Sequence, residues 1–400
     1  MKNKFKSLSK WLGICLCLGA LSGLLGAAFS HSVTWATAFR GEHAQLIFLL
    51  PFVAPLSVFL YKKLRVEGEG TNQVLLAADG EHRLSWRLIP AVFLGSILSH
   101  LFGASVGREG AALQMGGGLS SLFARIFKLE KQDAKQLVYC GMAGLFSAVF
   151  GTPLAAALFA LEVVFVGQIV FSAAVPALLT SLTAFAVARS LGVHPERFAL
   201  TEVPQISLSV IAKFFIIVVA GALTSILFCY VLRWSSSAFK KWFKNAYFRI
   251  FVGGLLVLAA TLLLKTNDYN GAGVHVIEQI FEGGNVVTYA FLVKILLTAV
   301  SVGAGFKGGE IVPTLFIGAT LGAALASLLG LSLPFGAALG MISLFCGVTN
   351  CPLASLVLGL EMFSFKGGEY LLVAVAISFA ISGKVSLYSA QKIKGFKKWF

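Results

Sequence analysis

The sequence predicts an all-α polytopic membrane protein built as two inverted-topology repeats with broken and re-entrant helices. Three observations predict it. Apolar runs recur along nearly all of the 400 residues, basic residues collect between those runs, and landmarks of the first half return in the second.

Hydrophobic residues make up 58% of the chain and charged residues 12%, with a mean hydropathy of +0.87. Soluble domains carry about 25% charged residues, so a soluble reading fails on composition alone. Apolar runs cover residues 11–29, 46–61, 88–101, 137–171, 207–232, 250–264 and 289–302, then continue from 311 to 388 between glycine-rich turns. A full crossing needs about 20 apolar residues. Several of these runs are shorter or broken by glycine, which predicts tilted, broken and re-entrant segments. The first 30 residues imitate a signal peptide, with a basic start, an apolar run and small residues near the end. They are read as a retained first helix, because the spans that follow need no cleaved leader.

The formal charge of +15 has to be read by position. Basic clusters occur at Lys2, Lys4, Lys6 and Lys10, at Lys62, Lys63 and Arg65, and over residues 125–135, 233–249 and 392–398. All lie between or beyond apolar runs, the positive-inside pattern. That places both termini in the cytoplasm of a multi-pass protein in the cell (plasma or inner) membrane. A nucleic-acid surface is set aside for the same reason. The six cysteines lack CxxC spacing and the six histidines are scattered. No disulfide framework, metal site or cofactor is expected. An intramembrane enzyme is disfavoured by the lack of HExxH, of GxSxG and of closely paired acids.

The duplication carries more information. Pro153-Leu154-Ala155 running to Leu161-Glu162 matches Pro352-Leu353-Ala354 running to Leu360-Glu361, an offset of 199. Gly107-Arg108-Glu109, with Gly117 eight residues on, matches Gly308-Gly309-Glu310 with Gly318, an offset of 201. Gly68-x-Gly70 matches Gly271-x-Gly273, an offset of 203. Three landmarks in one order predict two membrane repeats, 1–195 with a cytoplasmic amino-terminal segment and 196–400 with a short basic tail, and no separate soluble domain. An odd number of spans per repeat inverts the second against the first. Inverted repeats with broken helices meeting at the midplane form a transporter architecture.

Glycine-rich, acid-containing segments at 68–72, 103–110 and 303–313 open or interrupt apolar runs. Non-helical backbone at membrane depth is tolerated where protein buries it or where it lines an aqueous cavity. A helix starting there presents unpaired N–H groups and a positive dipole end, which suits an anion. The competing reading is that the glycines only permit close helix packing. Glu109 and Glu310 are the sharper signals, since an intramembrane carboxylate costs about 2.5–3.5 kcal/mol and marks function by default. A carboxylate in an anion-attracting site can occupy the anion's own place and leave it on protonation. A structural alternative pairs Glu109 with Arg108 at a loop. Glu162 and Glu361, at the ends of their runs, read as structural, capping or snorkelling groups.

These residues resemble a known family. Gly107-Arg108-Glu109-Gly110 followed by Ala111-Ala112-Leu113-Gln114 is similar to the GREGPxVQ segment of the CLC family of anion channels and proton-coupled antiporters. Residues 153–162 and 352–362 resemble its two PLA/LE helices, and 308–313 its GxFxP segment. The resemblance covers nearly the whole chain. It implies a CLC-like homodimer with one anion pathway per subunit, Glu109 as the external gating glutamate, and backbone N–H groups near Gly110, Glu310 and Ile311 along the anion site. Chloride-selective members have a GSGIP segment, where this chain has Gly68-Glu69-Gly70-Thr71-Asn72. Chloride/proton exchangers place a glutamate after the LE glutamate, where this chain has Val163. These departures, with Asn72 and Glu310, resemble the fluoride/proton antiporter branch, CLC-F. Tyr388 lies near the position of the family's inner tyrosine. One departure from that branch is Val312, where a threonine often stands.

The function so implied is fluoride export in exchange for protons. Glu109 gates, and Glu310 handles protons in place of the acid missing at Val163. The expected anion-binding set is Asn72, Gly107, Arg108, Gly110, Glu310, Ile311, Val312 and Tyr388. Chloride transport, proton-coupled or channel-like, is the nearest alternative. A carrier for an organic solute is more remote, because no acidic or hydroxyl cluster suits sodium.

Overall fold

The computed structural model describes residues 2–394 and Lys397, with side chains from Ser9 onward. The side chains of Lys2, Lys4 and Lys6, and Lys398, lie outside the described residues. Sixteen α-helices run in chain order among the described residues. The first eight are α1 (Lys2–Glu42), α2 (Leu50–Lys63), α3 (Thr71–Asp79), α4 (Leu88–Phe102), α5 (Glu109–Ile126), α6 (Lys131–Phe150), α7 (Pro153–Glu162) and α8 (Ala174–Ser190). The second eight are α9 (Leu208–Trp242), α10 (Ala246–Leu264), α11 (Val274–Phe281), α12 (Ala290–Ala304), α13 (Ile311–Leu329), α14 (Leu333–Thr349), α15 (Pro352–Met362) and α16 (Gly368–Ile381). A two-residue strand β1 (Phe165–Val166) pairs in parallel with β2 (Lys392–Ile393) in the carboxy-terminal tail.

Six of these helices are long and apolar enough to cross a membrane, and six more are apolar but only 10–17 residues long. This mixture of spans and shorter segments follows from how the apolar runs are punctuated. The run 137–171 becomes two helices because Pro153, which cannot donate an N–H, opens α7 as its first residue. Gly103 and Gly305 end α4 and α12 in the left-handed conformation, φ 90° and 111°, which a side chain rarely adopts. The 41 residues of α1 would extend roughly 60 Å, twice the hydrocarbon thickness, so α1 has to tilt or protrude.

The core lies where α5, α6, α13 and α14 pack. The most apolar stretch of α13 is 83% buried inside the molecule, against 33% for the span that contains α2. Helix axes approach closely there because side chains are missing. A Cβ on Gly116 would sit 2.2 Å from the Gly141 carbonyl oxygen, and one on Gly340 would sit 2.1 Å from that of Gly318. Glycine contacts of this kind replace a hydrophobic driving force between helices in lipid. All six cysteines are free thiols.

Candidate functional site

The starts of α5 and α13 meet at the centre of the molecule. Gly107 N–H donates to the Gly309 carbonyl at 2.6 Å, and Gly309 N–H donates to the Gly107 carbonyl at 2.7 Å. The two segments run antiparallel through this pair. The bridge pairs Gly107 with Gly309, two residues before each helix, so the helix starts set Arg108 against Glu310 and Glu109 against Ile311 as counterparts. The sequence match at an offset of 201 had set Glu109 against Glu310, and the structure corrects it. Glu310 precedes α13 as Arg108 precedes α5, because backbone pairing determines where each helix begins. Gly107 is corrected as well. Its N–H is committed to the bridge and is not available to an anion.

Glu109 is the first residue of α5 and is wholly buried. One carboxylate oxygen accepts from the Arg108 backbone N–H at 3.1 Å, and the other from Arg108 Nε at 3.3 Å. The pairing with Arg108 is therefore present, but at a buried helix start rather than on a loop. The far side of the Arg108 guanidinium donates to Glu196. Glu196 was missed in the sequence, because an acid in the polar stretch between the halves has no motif around it. Arg108 and Glu196 open onto a cavity of about 610 Å³ that is also lined by Arg40, His31, His100 and His275. Arg40 Nη1 donates to the His100 carbonyl at 2.6 Å, which holds its charge beside this cavity.

A second cavity, of about 190 Å³, is lined by Thr71, Asn72, Gln114, Gly308, Glu310 and Tyr388, among others. Asn72 Oδ1 accepts from the Ala390 N–H at 3.0 Å, so its Nδ2 hydrogens are left as donors. The buried Tyr388 hydroxyl has no hydrogen-bond partner among the described residues. Glu310 is half-buried. One of its carboxylate oxygens lies 3.6 Å from where a Cβ on Gly110 would begin, so it borders the segment that carries Glu109. Gln114, which donates to Thr71 Oγ1 at 3.2 Å, joins this lining although the sequence offered it only as part of a motif. Lys307, with Nζ 3.9 Å from the centre of the Tyr61 ring, also lines the cavity and was not anticipated.

The expected contribution of Ile311 is its backbone N–H. The side chains of Ile311 and Val312 are buried in the apolar core and line neither cavity. Only their backbone N–H groups are left to contribute, because Pro313 has no N–H and Thr314 N–H bonds to the Glu310 carbonyl. The starts of α7 and α15, by contrast, are closed. Glu162 accepts from Leu353 and Ala354 N–H at 3.3 and 2.9 Å, and Glu361 accepts from Leu154 and Ala155 N–H at 3.1 and 2.8 Å. Each acid caps the helix that holds its own counterpart in the other half, so capping is their role.

A family model described as "Voltage gated chloride channel" matches residues 53–383. The chain belongs to this family. The CLC chain is 36% identical over 401 residues to a chloride/fluoride channel protein of Pseudomonas syringae pv. tomato, covering 96% of this chain and 87% of that one. It is 26% identical to an H(+)/Cl(-) exchange transporter of Vibrio cholerae, over 90% of this chain and 84% of the relative. Its fold matches the crystal structure of a CLC-type fluoride/proton antiporter with a TM-score of 0.92 and 32% identity, over 97% of this chain and 98% of that one. The glycine bridge of this CLC chain lies within the residues that the family model matches.

Proposed function

We propose that this CLC protein exchanges an anion, fluoride, for protons across the membrane, with Glu109 as the gate. One observation carries the reading. A wholly buried carboxylate stands at the start of α5, held by Arg108, which lines one cavity, and followed by Gly110, which borders Glu310 of the other. Deprotonated, Glu109 is held by Arg108 and occupies the place an anion would take. Protonated, it loses the ion pair and can swing away, and an anion enters in its stead. Arg108 then keeps Glu196 as its partner, so opening the gate does not strand a buried cation. The Asn72 amide, the unpartnered Tyr388 hydroxyl and the first N–H groups of α13 supply neutral donors on the inner side. Glu310, bordering Gly110, takes or delivers the proton there.

The cavity of about 190 Å³ supports a small ion over an organic solute, whose sites usually exceed 300 Å³. Fluoride is supported by the likeness to the fluoride/proton antiporter and by the amide donor at Asn72. Chloride is the second reading. It is favoured by Val312, which brings no hydroxyl to the second position of α13, while the Thr314 hydroxyl is spent on the Glu310 carbonyl. The reciprocal caps and the glycine bridge support reading 1–195 and 196–400 as two inverted repeats. A homodimer in the cell membrane, with both termini cytoplasmic, completes the proposal.

The test is flux from proteoliposomes followed with fluoride, chloride and pH electrodes. Glu109→Gln is expected to abolish proton movement coupled to anion movement. Coupled protons persisting in that variant would remove the gate from the mechanism.

A further inference from the structure

The end of α3, the end of α5 and the start of α6 enclose a third cavity, of about 610 Å³, which neither the gate nor the anion donors line. It lies on the face crossed by the carboxy-terminal tail, where Lys392 bonds to Asp79 and Glu81. Its lining brings together Arg83 from the loop after α3, Arg125 from α5, and Lys131 and Lys135 from α6, beside His82, whose ring bonds to Glu69. The acid on that lining, Glu81, already accepts from Lys392 Nζ at 2.5 Å. The Lys135 stem packs over Gly80, where a Cβ would lie 1.8 Å from Lys135 Cε, so its ammonium is held at the cavity.

A second, independent feature points the same way. Glu130 stands at the cap position of the 20-residue α6 but its side chain makes no cap, so it does not take the Lys131 N–H on the lining, while the Ala134 N–H bonds to the Glu130 carbonyl. An uncapped helix start among converging cations is the arrangement that takes up phosphate. The space is far larger than a halide needs. Next to Arg83 and Arg125 in the chain stand Trp86, Ile126 and Phe127, which are 41%, 61% and 45% exposed. Apolar and aromatic side chains of this kind suit the boundary between headgroups and acyl chains.

We propose that this cavity binds the phosphodiester headgroup of an anionic phospholipid from the surrounding membrane. Basic pockets between membrane helices recognise such headgroups through the same charge and phosphate contacts. The acyl chains would lie against Trp86, Ile126 and Phe127.

The experiment uses the purified full-length protein in neutral detergent, with native mass spectrometry after titration of short-chain phosphatidylglycerol, phosphatidylcholine or glycerol phosphate. Phosphatidylglycerol should be retained in preference to phosphatidylcholine. Arg125→Gln/Lys131→Gln/Lys135→Gln should retain it about a hundredfold less tightly, at roughly one unit of surface charge energy per base. Raising salt should release the lipid from the unaltered protein, a result that does not depend on the variant folding. Equal retention of both lipids, or an unchanged affinity in a variant that melts normally, would overturn the site. Glycerol phosphate binding as tightly as the lipid would overturn the membrane as its source.

Discussion

Gly107 and Gly309 exchange both of their backbone hydrogen bonds, at 2.6 and 2.7 Å, and so tie the starts of α5 and α13 into one unit. Each stands two residues before its helix. The proposed gate Glu109 and the proposed proton handler Glu310 both stand beside this contact.

Gly309→Ala should disrupt that unit. A Cβ there would lie 2.3 Å from Gly110 N and 2.8 Å from Gly110 Cα, both backbone atoms that have no rotamer to change. The expected cost is about 1–3 kcal/mol or more, with loss of anion flux. A melting temperature in detergent equal to that of the unaltered protein would contradict it. Gly107→Ala should be milder, since its nearest contact is Pro313 Cδ at 2.9 Å.

The reciprocal caps give a second test. Glu162→Gln and Glu361→Gln keep the shape of the side chain but lose the charge that two N–H groups share at a helix start. Each should cost about 1–2 kcal/mol of stability. Thermal unfolding of the two single variants and the double variant measures it. The argument fails if either single change leaves the melting temperature where it was.

Tyr388→Phe separates stability from transport. The Tyr388 hydroxyl is buried without a partner among the described residues, so its removal should leave stability unchanged or improved. Anion affinity should fall by about 1 kcal/mol, some fivefold, if that hydroxyl donates to the ion. Ion titration by calorimetry reads this directly, and equal affinities would take Tyr388 out of the site.

The carboxy-terminal tail holds both ends of α3. Ala390 N–H fixes the Asn72 amide near its start, and Lys392 bonds to Asp79 at its end. Ala390→Pro removes the donor and should lower the fluoride-to-chloride flux ratio more than total flux. An unchanged ratio would mean that the tail does not position Asn72.

Asp79 and Glu81 hold the Lys392 ammonium above its ordinary value. A raised folded value means the lysine's contribution to the clamp is fully present below about pH 10, the unfolded lysine value, and is lost as pH rises through the folded one. Tail protection against limited proteolysis should therefore stay flat across neutral pH and fall with added salt. A loss of protection between pH 6 and 8, a window ~2 units or more below the ordinary lysine value, would contradict the assignment.

Much of the site was legible because its signals are local. An acid inside an apolar run, as at Glu109, stands out at any position along the chain. The glycines around 107 and 309 announce themselves in the same way. Glu162 and Glu361 read as structural, capping or snorkelling groups, and the structure selects capping and the helix that each one caps. Glu196 and Lys307 gave no signal, since their roles depend on the side chains that other elements bring beside them.

The sequence by itself determined that this chain lives in a membrane, that its two halves share an order of landmarks, and that Glu109 is the residue to watch. Apolar length, charge placement and repeated motifs are properties of neighbouring residues and survive without a fold. Tertiary structure decided that Glu310 is the counterpart of Arg108, that Gly107 spends its N–H on Gly309, and that Asn72 and Tyr388 share a cavity across 316 residues of chain. Those outcomes come from hydrogen bonds and packing between distant segments, whose register is set only when the helices meet.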